Sequence, residues 1–174
     1  MAPPADGAGP GRPVVARAYI GIGANLGDAG ASVRLAVAAL AALPGCTGLQ
    51  ASPVYRTVPV AASGPDYFNA VAAVDTDLTP QALLAEMQRI ESVFGRQRPY
   101  PNAPRTLDLD LLLHGQTVLR TPSLTLPHPR LHQRAFVLRP LLDLAPALVV
   151  AGLGPLVDCL PACAGQGVEK LAVP

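Results

Sequence analysis

The chain has 174 residues, half of them apolar, a formal net charge of +1 and three cysteines. That length fits one domain with a proper core. No run of about 18 apolar residues offers a membrane span, and the near-neutral charge gives no support for a nucleic-acid or membrane partner. Cys46, Cys159 and Cys163 are too few and poorly spaced for a disulfide framework, and Cys159 and Cys163 lack a histidine pair at zinc-finger spacing. A reducing cytoplasm is expected. Twelve of the thirteen basic residues are arginine, so no single arginine is functional evidence by itself.

Residues 1–16, rich in Pro, Gly and Ala, read as a disordered leader without the basic start and apolar run of a signal peptide. Residues 17–174 read as a single domain. Residues 18–23 form a first strand and 27–30 a turn. An alanine-rich helix over 31–43 ends at Pro44-Gly45. A second strand spans 49–57, where Pro53 argues for an edge or a bulge. Residues 58–66 read as a loop and 68–76 as a third strand. Thr79 and Pro80 supply an N-cap and a first-turn proline for a helix that runs to Phe94 and stops at Gly95. Its apolar stripe is Leu83, Leu84, Met87, Ile90 and Phe94. An irregular Arg/Pro loop over 96–104 leads into a fourth strand, followed by a polar, proline-containing segment over 121–129 and a short helix over 133–144. The class is α+β, with a ferredoxin-like βαββαβ core and a C-terminal α/β extension that adds a short strand and helix.

The fourth strand carries the chemistry. In Arg105-Thr106-Leu107-Asp108-Leu109-Asp110-Leu111 the aspartates are two apart, so they share one face with side chains roughly 6–7 Å apart. Either they face bulk water or a cation sits between them; an oxygen-only ligand set suits Mg²⁺ before Zn²⁺. Arg96, Arg98 and Arg105 lie within a dozen residues, and arginine forks match phosphate oxygens. Leu84, Gln88 and Glu91, at i, i+4 and i+7, share a helix face that either continues a pocket wall or marks the boundary between core and solvent. Tyr67, Asn69 and Phe136 offer ring faces and an amide for a flat heterocycle, with core packing as the alternative. Gly21-x-Gly23-x-x-x-Gly27 fails the dinucleotide fingerprint, because Leu26 occupies the third glycine's place and no acid follows about 20 residues on. Pro127 and Pro129 exclude a zinc-binding helix around His128 and His132; His128 reads as a phosphate or carboxylate partner, or as a surface turn cap. No P-loop or kinase-type glycine loop is present in the sequence.

Taken in order, several segments resemble the 6-hydroxymethyl-7,8-dihydropterin pyrophosphokinase family. They are Ala18-Tyr19-Ile20-Gly21-Ile22-Gly23-Ala24-Asn25-Leu26-Gly27, Ser52-Pro53-Val54-Tyr55-Arg56-Thr57, Asp66-Tyr67-Phe68-Asn69-Ala70, Gln88-Arg89-Ile90-Glu91 with Gly95-Arg96-Gln97-Arg98, Ala103-Pro104-Arg105-Thr106-Leu107-Asp108-Leu109-Asp110, Leu126-Pro127-His128 and Arg134-Ala135-Phe136-Val137-Leu138. The resemblance implies transfer of diphosphate from ATP to the pterin hydroxymethyl group in folate biosynthesis, with release of AMP. It implies ATP as co-substrate, two Mg²⁺ ions held by Asp108 and Asp110, and a monomer. Leu84, Gln88, Glu91, Arg98, Arg105, Leu111, Thr125, His128 and Arg134 would line the ATP site, with Arg96 on a catalytic loop. Thr57, Val58, Val60, Tyr67, Asn69 and Phe136 would hold the pterin.

Four positions, in three places, depart from the family pattern. Pro101 and Asn102 stand where a basic residue and a tryptophan are common, Ser123 where some members carry an ATP-site arginine, and Pro129 where a tyrosine often follows the Pro-His pair. Other Asp-x-Asp metal enzymes, such as nucleases or nucleotide-sugar transferases, are rivals; the latter normally need a larger nucleotide-binding domain. A non-catalytic RNA-binding module would need exposed sheet aromatics and a basic surface, which the composition does not provide.

Overall fold

Period-two alternation organises the centre of the molecule. The computed structural model describes residues 14–59, 64–95 and 106–171. In β1 (Ala16–Ala24), Ala18, Ile20, Ile22 and Ala24 are buried on one face of the sheet. β1 pairs antiparallel with β4 (Tyr67–Thr76) on one side and β5 (Asp108–His114) on the other. β4 in turn pairs with β2 (Cys46–Ala51) and β3 (Tyr55–Thr57), so all these ladders are antiparallel.

Two helices cover one face. α1 (Ala29–Ala41) starts where the Asp28 carboxylate accepts the Ala31 N–H at 2.9 Å. α2 (Pro80–Val93) is capped by the Thr79 hydroxyl, which accepts the Ala82 N–H at 3.2 Å, with Pro80 at the first turn, where its missing N–H costs nothing. Their apolar faces, including Val33, Leu40, Leu83, Met87 and Ile90, pack with Ile20, Leu109 and Leu111 into one core. The opposite face is covered by α3 (Ala135–Leu144), whose Leu138 and Leu141 pack with Val71, Leu112 and Leu156 into a second core. Burial of a side chain such as Leu83 or Leu138 contributes about 1.5–3 kcal/mol.

The structure differs from the sequence expectations in three places. The single strand expected over 49–57 is interrupted at residues 52–54. Pro53 cannot donate to a ladder, and Ser52 bridges the gap with its own groups: its N–H donates to the Val71 carbonyl at 2.8 Å and its hydroxyl accepts the Val71 N–H at 2.9 Å. The helix expected from 133 begins at Ala135, because Leu131–Gln133 is a 3-10 turn and Arg134 is extended. The C-terminal extension adds short strands and a helix as expected, but it joins the main sheet. After the hairpins β6 (Leu119–Arg120) with β7 (Thr125–Leu126) and β8 (Val149–Val150) with β9 (Gly154–Pro155), it forms a 3-10 helix, Leu156–Cys163, in place of an α-helix. It then returns as β10 (Val168–Lys170) to pair with β3 at the edge of the main six-stranded sheet. The leader segment 1–13 and the loop over 96–104 lie outside the described residues.

Leu83 sits fully buried between α2 and the sheet. Leu83→Ala should lower stability by about 2–5 kcal/mol, read as a lower urea midpoint with an unchanged slope.

Candidate active site

β5 separates its side chains by chemistry. Leu109 and Leu111 enter the core beneath α1 and α2, while Asp108 and Asp110 are half-buried on the face that α3 covers. The register sets Asp108 opposite Gly23 and Asp110 opposite Gly21. On the other side of β1, Gly23 pairs with Asn69 and Gly21 with Val71. The glycines therefore keep the sheet bare between an amide and two carboxylates. A Cβ at Gly23 would come within 3.2 Å of the Asn69 Oδ1. Gly21, Gly23, Asn69, Asp108, Asp110 and Phe136 line one cavity. Asn69 is buried, and its Nδ2 donates to the Thr57 Oγ1 at 3.1 Å. Tyr67 pairs with Thr57 one step along the same ladder. The Arg134 guanidinium lies 5.6 Å from the centre of the Phe136 ring, a cation–π arrangement.

A second cleft opens on the other side of Asp110, lined by Leu84, Asp110, Leu111, Thr125 and His128 together with the turn residues Thr121 to Leu124. The Thr121 hydroxyl accepts the Leu124 N–H at 3.0 Å and donates to the Leu124 carbonyl at 3.0 Å, closing the turn that carries Thr125. The register between β1 and β5 shifts at Tyr19/Ile20, leaving Leu112 bulged. Bulges re-aim chain and side chains beside functional sites. Here the Leu112 carbonyl accepts the His128 N–H at 2.9 Å and so brings the Pro127-His128-Pro129 segment against the sheet.

The His128 Nδ1 accepts the Arg130 N–H at 3.2 Å, so the neutral ring carries its proton on Nε2. Burial holds the imidazole below the usual histidine range; the carboxylates of Asp110 and Asp108 pull the other way, and Arg134 and Arg130 reinforce the lowering. His128 is thus a neutral hydrogen-bond donor at pH 7 rather than a cation.

Of the three helix residues expected to share a face, burial separates them. Leu84 reaches the second cleft, while Gln88 is exposed and lines neither cavity. Glu91 is only 2% exposed, and its carboxylate accepts the Leu109 N–H at 2.8 Å, holding the strand between the two aspartates. Val58 is 68% exposed and lines neither cavity. Val60, Arg96, Arg98 and Arg105 lie outside the described residues. Sequence reasoning passed over Gly21 and Gly23 as site-forming residues; two glycines two apart in a strand were the available signal. A further cleft, lined by Arg17, Tyr19, Leu113 and Val149, lies at the other end of the sheet. Its arginine is engaged by Asp75, Gln50 and the Gly48 carbonyl.

Among the described residues, no three His, Cys, Asp or Glu side chains converge as a protein-only metal cage. Two half-buried carboxylates on one bare face still fit Mg²⁺, which takes one or two carboxylates and completes its shell with water and phosphate oxygens.

Because the His128 ring is held neutral by the fold, the unfolded chain takes up its proton first, at about pH 6.5. This ring's contribution to stability is present above that value and lost as the pH falls through the lower folded value. Urea midpoints measured at about pH 7.5 and 5.5 should therefore fall further for wild type than for His128→Gln; equal slopes would show that burial does not hold the ring neutral.

A sequence profile of the 7,8-dihydro-6-hydroxymethylpterin-pyrophosphokinase (HPPK) family matches residues 19–146. The 2-amino-4-hydroxy-6-hydroxymethyldihydropteridine pyrophosphokinase of Pseudomonas aeruginosa is 41% identical over 159 residues, covering 91% of this chain and 98% of that protein. The Methylorubrum extorquens protein of the same name is 43% identical over 137 residues, covering 78% and 87%. The crystal structure of Plasmodium falciparum HPPK-DHPS with pteroate shares the fold at a TM-score of 0.68 and 12% identity, over 85% of this chain and 42% of that longer one. The chain belongs to the 7,8-dihydro-6-hydroxymethylpterin-pyrophosphokinase family.

Proposed function

We propose that this pyrophosphokinase of folate biosynthesis works at the seam between the two clefts, with Asp108 and Asp110 as the ligands of two Mg²⁺ ions. The observation that carries the reading is the cross-sheet row Asn69–Gly23–Asp108 beside Val71–Gly21–Asp110, with Phe136 above it and a second cleft sharing Asp110. The pterin occupies the Asn69–Phe136 cavity. Phe136 and Tyr67 offer ring faces, Asn69 and Thr57 offer hydrogen bonds to the heterocycle's edge, and Val58 and Val60 close the rim. ATP occupies the other cleft, against Leu84, Leu111, Thr125 and His128, with Gln88, Glu91 and Arg134 at its borders. Arg98 and Arg105 meet its phosphates, and Arg96 closes over them.

The pterin hydroxyl oxygen attacks the β-phosphorus in line. The bond from that phosphorus to the oxygen bridging the α-phosphate breaks, AMP leaves, and the hydroxyl proton passes to solvent. When bound, Mg²⁺ neutralises phosphate charge and favours the metaphosphate-like transition state. The chain's own contribution is to hold acceptor and donor in line and to donate from the His128 Nε2–H. The reading needs no protein side chain as general base.

The strand order, with β2 and β3 counted as one interrupted strand, supports a ferredoxin-like βαββαβ core. The return of β10 to the main sheet supports one domain over residues 17–174. We read the enzyme as a cytoplasmic monomer; three unpaired cysteines suit a reducing compartment.

AMP, rather than a nucleoside diphosphate, should appear with the diphosphorylated pterin, and Asp108→Ala and Asp110→Ala should each abolish its formation while retaining the wild-type circular dichroism. Near wild-type turnover in either variant would sink the metal assignment. Arg96→Ala should lower kcat more than it weakens ATP binding; a defect in affinity alone would make Arg96 a nucleotide anchor only.

A further inference from the structure

We propose that Gln166, in the tail, is a positioning residue for the pterin pocket, and that residues 166–171 tie its two walls together. The first turn of α3 bears Phe136, and its N-cap Arg134 contributes no side-chain cap. Helix N-termini leave N–H groups that need partners from elsewhere. Here the partner comes from 31 residues away: the Gln166 Oε1 accepts the Ala135 N–H at 2.8 Å, and its Nε2 donates to the Gln133 carbonyl at 2.9 Å. One amide thus holds both ends of the bend from which Arg134 and Phe136 project.

The same segment then pairs with β3, which carries the acceptor for the Asn69 amide. Val168 pairs with Thr57, and the Leu171 N–H donates to the Val54 carbonyl at 2.9 Å. The Lys170 Nζ meets the Asp143 Oδ1 at 3.0 Å, and the Asp143 Oδ2 accepts the Tyr55 hydroxyl at 2.6 Å, joining α3 to β3. Thr57 is the acceptor that orients the Asn69 amide. A few consecutive residues therefore fix the spacing between the Phe136 ring and the Thr57–Asn69 pair, which sets whether a flat heterocycle fits between them. The inference rests on the proposed placement of the pterin in this cavity.

Gln166→Met preserves length but removes both hydrogen bonds, and Gln166→Glu keeps the acceptor for the Ala135 N–H. Gln166→Met should raise the KM for 6-hydroxymethyl-7,8-dihydropterin about fivefold, equivalent to about 1 kcal/mol, with a smaller change in the KM for ATP. Gln166→Glu, which keeps the acceptor for Ala135 but loses the donor to the Gln133 carbonyl, should raise the pterin KM less than Gln166→Met does. A merely structural role would lower the melting temperature and the active fraction, and so the apparent kcat, and leave KM alone; that result overturns the proposal. Phe136→Ala separates the two readings. If it leaves the pterin KM unchanged, the pocket assignment falls and the inference with it. If it raises KM while Gln166→Met does not, only the role of the tail falls. In the wild-type chain, saturating pterin should slow hydrogen exchange at the Ala135 amide, and no slowing would count against the proposal even if Gln166→Met does not fold.

Discussion

The pairing of β5 with β1 sets Asp108 opposite Gly23 and Asp110 opposite Gly21, and a slip of one residue would exchange the two faces of β5. Leu109 and Leu111 would leave the core and two carboxylates would enter it. The desolvation penalty is several kcal/mol for each buried ion, so the alternation of leucine and aspartate strongly specifies the register. Glu91 adds a second lock from α2, because its carboxylate takes the backbone N–H of Leu109, the residue between the two aspartates. The strand that carries the acidic pair is thereby held by apolar burial on one face and by a buried carboxylate along its backbone.

That fixed face needs an opposite wall, and the wall is non-local. α3 lies against the sheet through Leu138 and Leu141, and its first turn is capped by a contact from the end of the chain. Tyr55 is nearly fully buried, and its hydroxyl reaches the carboxylate of Asp143 near the C-terminal end of α3, raising the Tyr55 pKa well above the ordinary phenol range through burial first and the neighbouring carboxylate second. α3 is therefore held near its C-terminal end by the Asp143–Tyr55 bond to β3 and at its first turn by Gln166, with the cavity between α3 and strands β1, β4 and β5. The outer ion pairs, Arg56–Glu169 and Lys170–Asp143, are partly exposed and add little individually. The two Gln166 hydrogen bonds and the ladder with β3 carry the tail.

Local order was legible in the sequence, and remote closure was not. The i, i+2 spacing of Asp108 and Asp110 predicts their shared face because strand geometry repeats every two residues. Thr79 and Pro80 mark the start of α2 by a capping mechanism confined to one turn, and the stripe Leu83, Met87 and Ile90 is buried as its spacing requires. Pro53 signalled an irregular strand, but not that Ser52 would mend the ladder with its hydroxyl. Periodicity placed Gln88 beside Leu84 and Glu91, yet the helix presents them at different depths: Leu84 half-buried, Gln88 exposed and Glu91 buried. The bulge at Leu112, the bond from Glu91 to Leu109 and the return of β10 to Thr57 each join residues far apart in the chain, and such pairs leave no periodic trace. The bare glycines were visible but ambiguous. Only the cross-strand register shows that they stand between the amide and the acids.

Asp110 borders both clefts, and this shared border is what an in-line transfer between two substrates requires. If the acceptor hydroxyl and the β-phosphorus belong to ligands in neighbouring pockets, the reacting atoms must meet at the wall that the pockets share. On one side of that wall stand the acids and the bare glycines, on the other the neutral imidazole of His128, drawn in by the bulged carbonyl of Leu112. Placing both reactants against one rigid strand converts an encounter into a positioned event, an effect that reaches about 7–11 kcal/mol in well-oriented systems. In the proposed reaction the chain therefore acts mainly through placement, and the stiffness of the β1–β5 ladder is a catalytic quantity as well as a structural one.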